Sequence, residues 1–230
     1  MFLNEFVRRA TNIIFEYEEP IRYLKGRGIV EADIRTYSLG YVQHATVKKE
    51  ESEEYRALSE DTYNFRLFQK KILFPLRNIL GAVNGLCTRD IEQKRYNQFF
   101  LSEARAIGAF FGLYEALPHI NKTKKVFVHE GAINSMSFAK VFPNTISSLT
   151  SFLNEAQYET LTMICDKIVL VYDDDQAGHT GEYKMKKYYG EKYLETVYIG
   201  TDDSNSYLKM LGPDKFSQYI KSKIPKYLQG

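Results

Sequence analysis

Glutamate and aspartate in this chain gather where apolar runs stop. Val126-Phe127-Val128 leads into His129-Glu130-Gly131, Ile168-Val169-Leu170-Val171-Tyr172 into Asp173-Asp174-Asp175-Gln176-Ala177-Gly178, and Tyr198-Ile199-Gly200 into Thr201-Asp202-Asp203. If each apolar run is a strand, three strands end in acid, and strand alternation sends Asp173 and Asp175 to the same side. Ligands of open parallel sheets bind outside the carboxyl ends of the strands. Carboxylates crowded there repel one another, which costs stability or shifts their pKa values. A hard divalent cation relieves the repulsion; an all-oxygen ligand set favours Mg²⁺ or Mn²⁺, and Mg²⁺ keeps waters and reaches substrate phosphates. Gly131 and Gly178 lack the Cβ that would hold a phosphate away from the backbone. Taken alone, Asp173-Asp174-Asp175 reads first as helix capping, because Asp is a favoured N-cap. The equivalent placement of Glu130 and Asp203 is what argues for a metal site.

A sheet must stand behind such a site, and the sequence supplies one. Strands are expected at Lys125–His129, 145–149, Lys167–Tyr172 and 194–199, alternating with helices at 133–141, 154–163 and Gln176–Tyr189. That rhythm indicates a parallel sheet covered on both faces. Upstream, residues 2–27 have helical spacing interrupted at Pro20, and the polar stretch 44–61 reads as a surface loop with some helix. Two apolar runs, 71–76 and 82–87, flank a glycine-bearing turn and predict a β-hairpin. A helix follows near 113–119. The tail, 207–228, reads as one or two helices interrupted at Gly212-Pro213 and Pro225. The fold class is therefore α/β: a mixed α+β N-terminal part (1–122), a mainly parallel sheet flanked by helices (123–202) and a short helical C-terminal segment (203–230).

At 230 residues, 44% hydrophobic and 26% charged, the chain can bury a core. Its net charge of +2 requires no polyanionic partner, so any nucleic-acid surface must be local. Cys87 and Cys165 lie 78 residues apart, which excludes a disulfide framework or a zinc ribbon within the chain, so no zinc is expected. Both read as buried small hydrophobes. No apolar run reaches the roughly 18 residues needed to cross a membrane, and the start lacks the pattern of a signal peptide. A cytoplasmic protein is expected.

The acid motifs resemble those of the TOPRIM fold: Glu-Gly after one strand, here Glu130-Gly131, and Asp-x-Asp after a later one, here Asp173-Asp174-Asp175, about 43 residues on. The upstream half resembles DnaG-type primases. Tyr23-Leu24-Lys25-Gly26-Arg27-Gly28-Ile29 looks like their Tyr-Leu-x-x-Arg-Gly-Ile, and Ser38-Leu39-Gly40-Tyr41 like their Leu-Gly-Tyr. Phe74-Pro75-Leu76-Arg77 with Gly81, Val83, Gly85 and Arg89 is similar to their Phe-Pro-Ile hairpin. Gly112-Leu113-Tyr114-Glu115-Ala116 matches the helix before their TOPRIM unit, and Asp203-Ser204-Asn205-Ser206-Tyr207-Leu208 resembles Asp-Pro-Asp-x-x-Leu. The matches run in order from about residue 20 to about 222.

The resemblance implies a primase catalytic core making short RNA primers from ribonucleoside triphosphates on single-stranded DNA. Glu130, Asp173 and Asp175 would be catalytic and, with Asp203, would surround Mg²⁺ or Mn²⁺. Asn134 and Asn205 stand where the family carries Asp; an amide oxygen can ligate a hard cation but brings no charge, so a second metal is expected to bind weakly. Asp174 replaces a family glycine and restores a charge if it points inward. Arg66, Lys71, Arg77, Arg89, Lys94 and Arg95 would hold template or nucleotide phosphates, and Lys70 lies in the same region. A replicative helicase and a separate zinc-binding or accessory protein are the expected partners, and a phage or plasmid replication system suits such a core. The rivals are a TOPRIM nuclease and a catalytically degenerate TOPRIM module that binds DNA or replication proteins. His129 and His179 read as solvated or capping histidines, and Lys184, Lys186 and Lys187 as the solvated face of a helix.

Overall fold

The computed structural model describes residues 2–43, 69–93, 96–100 and 109–228. Its second half is built on four strands, the first three almost wholly buried and the fourth partly so: β6 (Lys125–His129), β7 (Thr145–Ser147), β8 (Lys167–Tyr172) and β9 (Leu194–Tyr198). They lie in the order β7-β6-β8-β9, all parallel. Alternation divides their side chains. Val126, Val128, Ile168 and Leu170 face α4 (Leu113–Thr123), α6 (Glu155–Ile164) and α7 (Gln176–Tyr189) through Leu113, Ile120, Leu161 and Met185. Phe127, Val169, Val171 and Val197 face α5 (Ala132–Ala139), α8 (Ser204–Leu211) and α9 (Pro213–Lys223) through Phe138, Leu208, Phe216 and Ile220. Near-continuous apolar strands of this kind are the mark of a parallel sheet covered on both sides.

The first half is antiparallel. The expected hairpin is present as β2 (Lys71–Arg77) and β3 (Val83–Asp90), paired from Lys71 with Asp90 to Leu76 with Gly85. Its turn is fixed by Asn78, whose side-chain oxygen accepts from the Leu80 and Ala82 amides, and by Gly81 at φ +82°. Strand β4 (Tyr96–Phe100) extends the hairpin on one side. On the other, β2 pairs with β1 (Gly40–Val42) and with β5 (Phe110–Phe111). Phe111 in turn pairs with Ser147 of β7, so one sheet runs through both halves.

The N-terminal helical stretch breaks earlier than expected. Helix α1 (Phe2–Ile13) passes through a 3₁₀ turn, Ile14–Glu16, to extended Tyr17, and α2 (Glu18–Gly26) starts there with Pro20 in its first turn. At that position proline's missing N–H has no intrahelical partner to lose, so Pro20 opens a helix rather than interrupting one. A short α3 (Glu31–Thr36) follows. The tail breaks where expected: α8 ends before Gly212, at φ +74°, and Pro213 begins α9. The segment 44–61 lies outside the described residues.

Candidate active site

Strand β6 connects through α5 to β7 on one side, and β8 through α7 to β9 on the other. The carboxyl ends of β6 and β8 therefore flank a topological switch point, where open α/β sheets bind ligands. Glu130 follows β6 and Asp173 follows β8. Ser147 donates through its hydroxyl to the Glu130 carbonyl at 2.8 Å, pinning that loop to the end of β7. The Asp174 amide donates to the Gly200 carbonyl at 2.7 Å, tying the loop after β8 to the loop after β9, which carries Asp203.

Asp175 and Asp203 both cap helices. Asp175 accepts from the Gly178 amide at 2.7 Å and Asp203 from the Ser206 amide at 2.7 Å. Capping and site placement coexist, because each carboxylate also lines a recess. Glu130, Asn134, Asp173 and Asp203 line a cleft of about 310 Å³ together with Arg27, Arg89 and Tyr96. Glu130, Asp173 and Asp175 line an adjoining groove of about 850 Å³ that runs past Phe152 and Gly181 to Lys184. Glu130 and Asp173 are common to both. Burial and then the neighbouring Asp203, Asp175 and Glu130 carboxylates push the Asp173 carboxyl up to about 6.

These donors are all oxygens of one sign or none, which fits a hard divalent cation. Among the described residues no three His, Cys, Asp or Glu side chains close a metal shell by themselves. The arrangement suits an ion that retains water and shares its remaining positions with phosphate oxygens.

The cationic wall is held from the N-terminal half. Arg89 on β3 donates through Nε to the Tyr23 hydroxyl at 2.6 Å, and its guanidinium lies 4.5 Å from the centre of the Tyr96 ring. Arg27, just past α2, sits 5.5 Å from the Tyr23 ring centre. Among the described residues neither arginine has a carboxylate partner. Arg27 stands in the family-like segment, but the sequence reading assigned it no role; its place beside the left-handed Gly28 at the end of a helix is the signal that marks it.

Other expected site residues are placed elsewhere. Arg77 is paired with Glu115 and donates to the Ser38 hydroxyl at 2.7 Å, so its charge is met inside the fold. Lys71 faces Asp90 at 4.0 Å. Asn205 does not line the cleft: it is 1% exposed, with its amide bonded to Arg27 and Ser137. Asp174 turns outward to His179, 3.0 Å away, and restores no charge to the cleft. Gly178 does not open the backbone to a phosphate; a Cβ there would meet the Asp173 carbonyl oxygen at 2.2 Å, so glycine serves the close packing of α7 on the acid loop. Arg66, Lys94 and Arg95 lie outside the described residues.

His129 is neither solvated nor a cap. It is 4% exposed, its ring centre lies 4.8 Å from that of Phe138 in a tilted arrangement, and among the described residues its Nε2 finds no hydrogen-bond partner. Burial depresses its pKa to about 3. His179 is exposed, between Asp174 and the Tyr198 hydroxyl. Cys87 and Cys165 are buried thiols.

A family described as Toprim-like matches residues 127–208. The DNA primase of Buchnera aphidicola is 23% identical over 234 residues, covering 92% of this chain and 40% of the relative. That of Haemophilus influenzae is 25% identical over 223 residues, covering 87% and 38%. The chain thus spans about two fifths of the length of these curated relatives. Among solved structures, the E. coli primase catalytic core superposes with a TM-score of 0.74 at 18% identity, covering 98% of this chain and 80% of that one. The chain thus shares the fold of the DnaG-type primase catalytic core, and its residues 127–208 are similar to the Toprim-like family.

Proposed function

We propose that this chain joins ribonucleotides into short RNA primers on a single-stranded DNA template, as the catalytic core of a primase and so as a nucleotidyltransferase. The observation that carries the reading is the cleft itself, lined by Arg27 and Arg89 together with Glu130, Asp173 and Asp203. A phosphate chain bound there meets both positive charge and cation-holding carboxylates.

Joining two nucleotides brings a 3′-hydroxyl to an α-phosphorus and expels pyrophosphate. Glu130, Asp173 and Asp175 would hold Mg²⁺ or Mn²⁺, with Asp203 and Asn134 reaching it directly or through water. When bound, the cation supplies neutralisation of phosphate charge and a lower pKa for the nucleophile. Arg27 and Arg89 orient the phosphates and offset the charge that accumulates as the bond to pyrophosphate breaks. Tyr23 keeps both guanidinium groups in place. Asp173 and Asp203 are half-buried, and helix capping by Asp203 and Asp175 fixes their side chains, so little reorganisation of these acids is needed when substrate arrives.

The single-stranded template, ribonucleoside triphosphates, a replicative helicase and a separate zinc-binding or accessory protein are the partners this reading carries. A solved DnaG primase catalytic domain is bound to single-stranded DNA, and its fold matches this chain with a TM-score of 0.69 at 16% identity, covering 96% of this chain and 76% of that one. Residues 1–122 would present the template and nucleotide surface, 123–202 the metal-holding acids, and 203–230 the closing helices. Among the described residues no helix is long and apolar enough to cross a membrane, in keeping with work in the cytoplasm. The nuclease and degenerate-module alternatives are disfavoured because the primase likeness extends through the N-terminal half.

The test is template-directed synthesis from labelled ribonucleotides with Mg²⁺ or Mn²⁺. Short RNA products dependent on template and on Glu130 support the reading; template nicking without synthesis overturns it.

A further inference from the structure

Asn205 stands where the resemblance expects a metal-holding acid, yet its head group is buried in the seam between the two halves. Its Oδ1 accepts from Arg27 Nη1 at 3.2 Å. Its Nδ2 donates to the Arg27 carbonyl at 2.7 Å and to the Ser137 hydroxyl at 2.9 Å. Ser137 spends its own proton on the Ile133 carbonyl, at 2.9 Å, so it offers Asn205 only lone pairs. Around residue 205 there are therefore two acceptors and one cationic donor.

A side-chain amide matches that set: its NH₂ serves the acceptors and its oxygen the guanidinium. A carboxylate does not. One of its oxygens would face the Arg27 carbonyl and the Ser137 lone pairs, and a buried acceptor set against acceptors is costly. It would also neutralise Arg27, the charge that lines the cleft. The same contact fixes spacing. Asn205 lies two residues beyond Asp203, a carboxylate that lines the same cleft as Arg27, and Gly28 abuts the Leu208 side chain of the same helix.

We infer that Asn205 is a positioning residue for Arg27: it clamps residue 27 by carbonyl and guanidinium together, aims into the cleft a cation that no carboxylate among the described residues neutralises, and sets its distance from Asp203. Asparagine here is a requirement of the seam and not a degraded metal ligand. The inference rests on the proposed function only in taking the cleft as a site for phosphates.

The test is binding of inorganic tripolyphosphate to the full chain at several salt concentrations, for wild type, Arg27→Ala, Asn205→Asp and the double variant, with thermal melting to verify folding. Loss of one charge-assisted contact predicts weakening of roughly 10- to 100-fold for Arg27→Ala. Asn205→Asp should weaken binding to a similar degree, flatten the salt dependence equally, and add nothing in the Arg27→Ala background. Additive effects, or tighter binding by Asn205→Asp, overturn the inference, as does wild type that binds no tripolyphosphate. If Asn205→Asp does not fold, arginine-selective NMR of the wild type decides, with Arg27→Ala for assignment. Restricted rotation of the Arg27 guanidinium supports the clamp, and free rotation overturns it. Normal tripolyphosphate behaviour with no primer synthesis would sink the primase reading while leaving the clamp standing.

Discussion

Arg89 donates to the Tyr23 hydroxyl at 2.6 Å, so a strand of the hairpin and a helix of the N-terminal bundle hold one guanidinium between them at the mouth of the cleft. Among the described residues no carboxylate neutralises it, so that charge is available to phosphate. Arg89→Ala should weaken single-stranded DNA binding roughly tenfold and lower the slope of log K against log salt by about one. Tyr23→Phe keeps the ring and removes the brace, so it should weaken binding by a smaller factor with the slope unchanged. Fluorescence anisotropy across a salt series reads both; an unaltered slope in Arg89→Ala would confine Arg89 to a structural role.

Glu130→Gln and Asp173→Asn should each abolish primer synthesis. Asp173→Asn should also stabilise the metal-free protein. Below about pH 4 the Asp173 carboxyl is protonated folded or unfolded; between its ordinary 3.8 and its raised value of about 6 the unfolded chain releases the proton first, so stability falls as pH rises, and above about 6 the whole penalty stands. Allowing for solvent screening, that penalty is about 1–2 kcal/mol. Melting in chelator should show the variant higher by roughly 2–6 °C at pH 8 and level with wild type at pH 3.5.

His129 has the opposite dependence. Its folded pKa, about 3, lies below the ordinary 6.5, so its contribution is complete above 6.5 and is lost as pH falls and the unfolded chain takes up the proton. His129→Val, an apolar replacement on a buried strand against Phe138, should lose less stability than wild type between pH 7 and pH 5. Denaturant titrations at the two pH values measure this; equal losses would show that His129 is solvated.

Asn134 differs from the other asparagine departure in facing the cleft. Asn134→Asp should lower the Mg²⁺ concentration needed for half-maximal synthesis by a few-fold, since it adds a charged oxygen to a neutral position. The added charge also raises the pKa of its neighbours, so the gain should be larger at pH 8.5 than at pH 6.5. An unchanged metal requirement at both would take Asn134 out of the ligand set.

Gly178→Ala should be damaging out of proportion to one methyl group. The new Cβ would fall 2.2 Å from the Asp173 carbonyl oxygen, which is backbone and cannot swing aside. A loss of several kcal/mol is expected, with synthesis impaired even in the folded fraction because the acid loop must shift. Wild-type melting would show that α7 can move without cost.

Much of this site was legible because its signals are local. Apolar runs ending in acid mark strand ends, and alternating strands and helices place those ends on one edge. What escaped depends on partners far away in sequence. Arg77 looks like a free cation until Glu115, 38 residues on, reaches it. Asn205 looks like a weakened ligand until Arg27, 178 residues away, occupies its amide. His129 sits beside a solvent-facing acid, yet strand alternation turns it the other way, onto Phe138. Pro20 looks like a break because the sequence does not say which turn of a helix it occupies.

The two-residue strand β5 has a practical consequence. Through Phe111 and Ser147 it covers the outer edge of β7, and α4 behind it covers Val126, Val128 and Ile146 with Leu113, Ala116 and Ile120. A fragment cut to the Toprim-like match at residues 127–208 would leave a hydrogen-bonding edge unprotected beside a bare apolar face. Recombinant material of that length should aggregate, whereas a fragment beginning at residue 109 retains its own cover. The smallest soluble piece carrying the acids is thus longer than the region by which its kinship is recognised, and shuffling such a region between proteins would have to carry β5 and α4 with it.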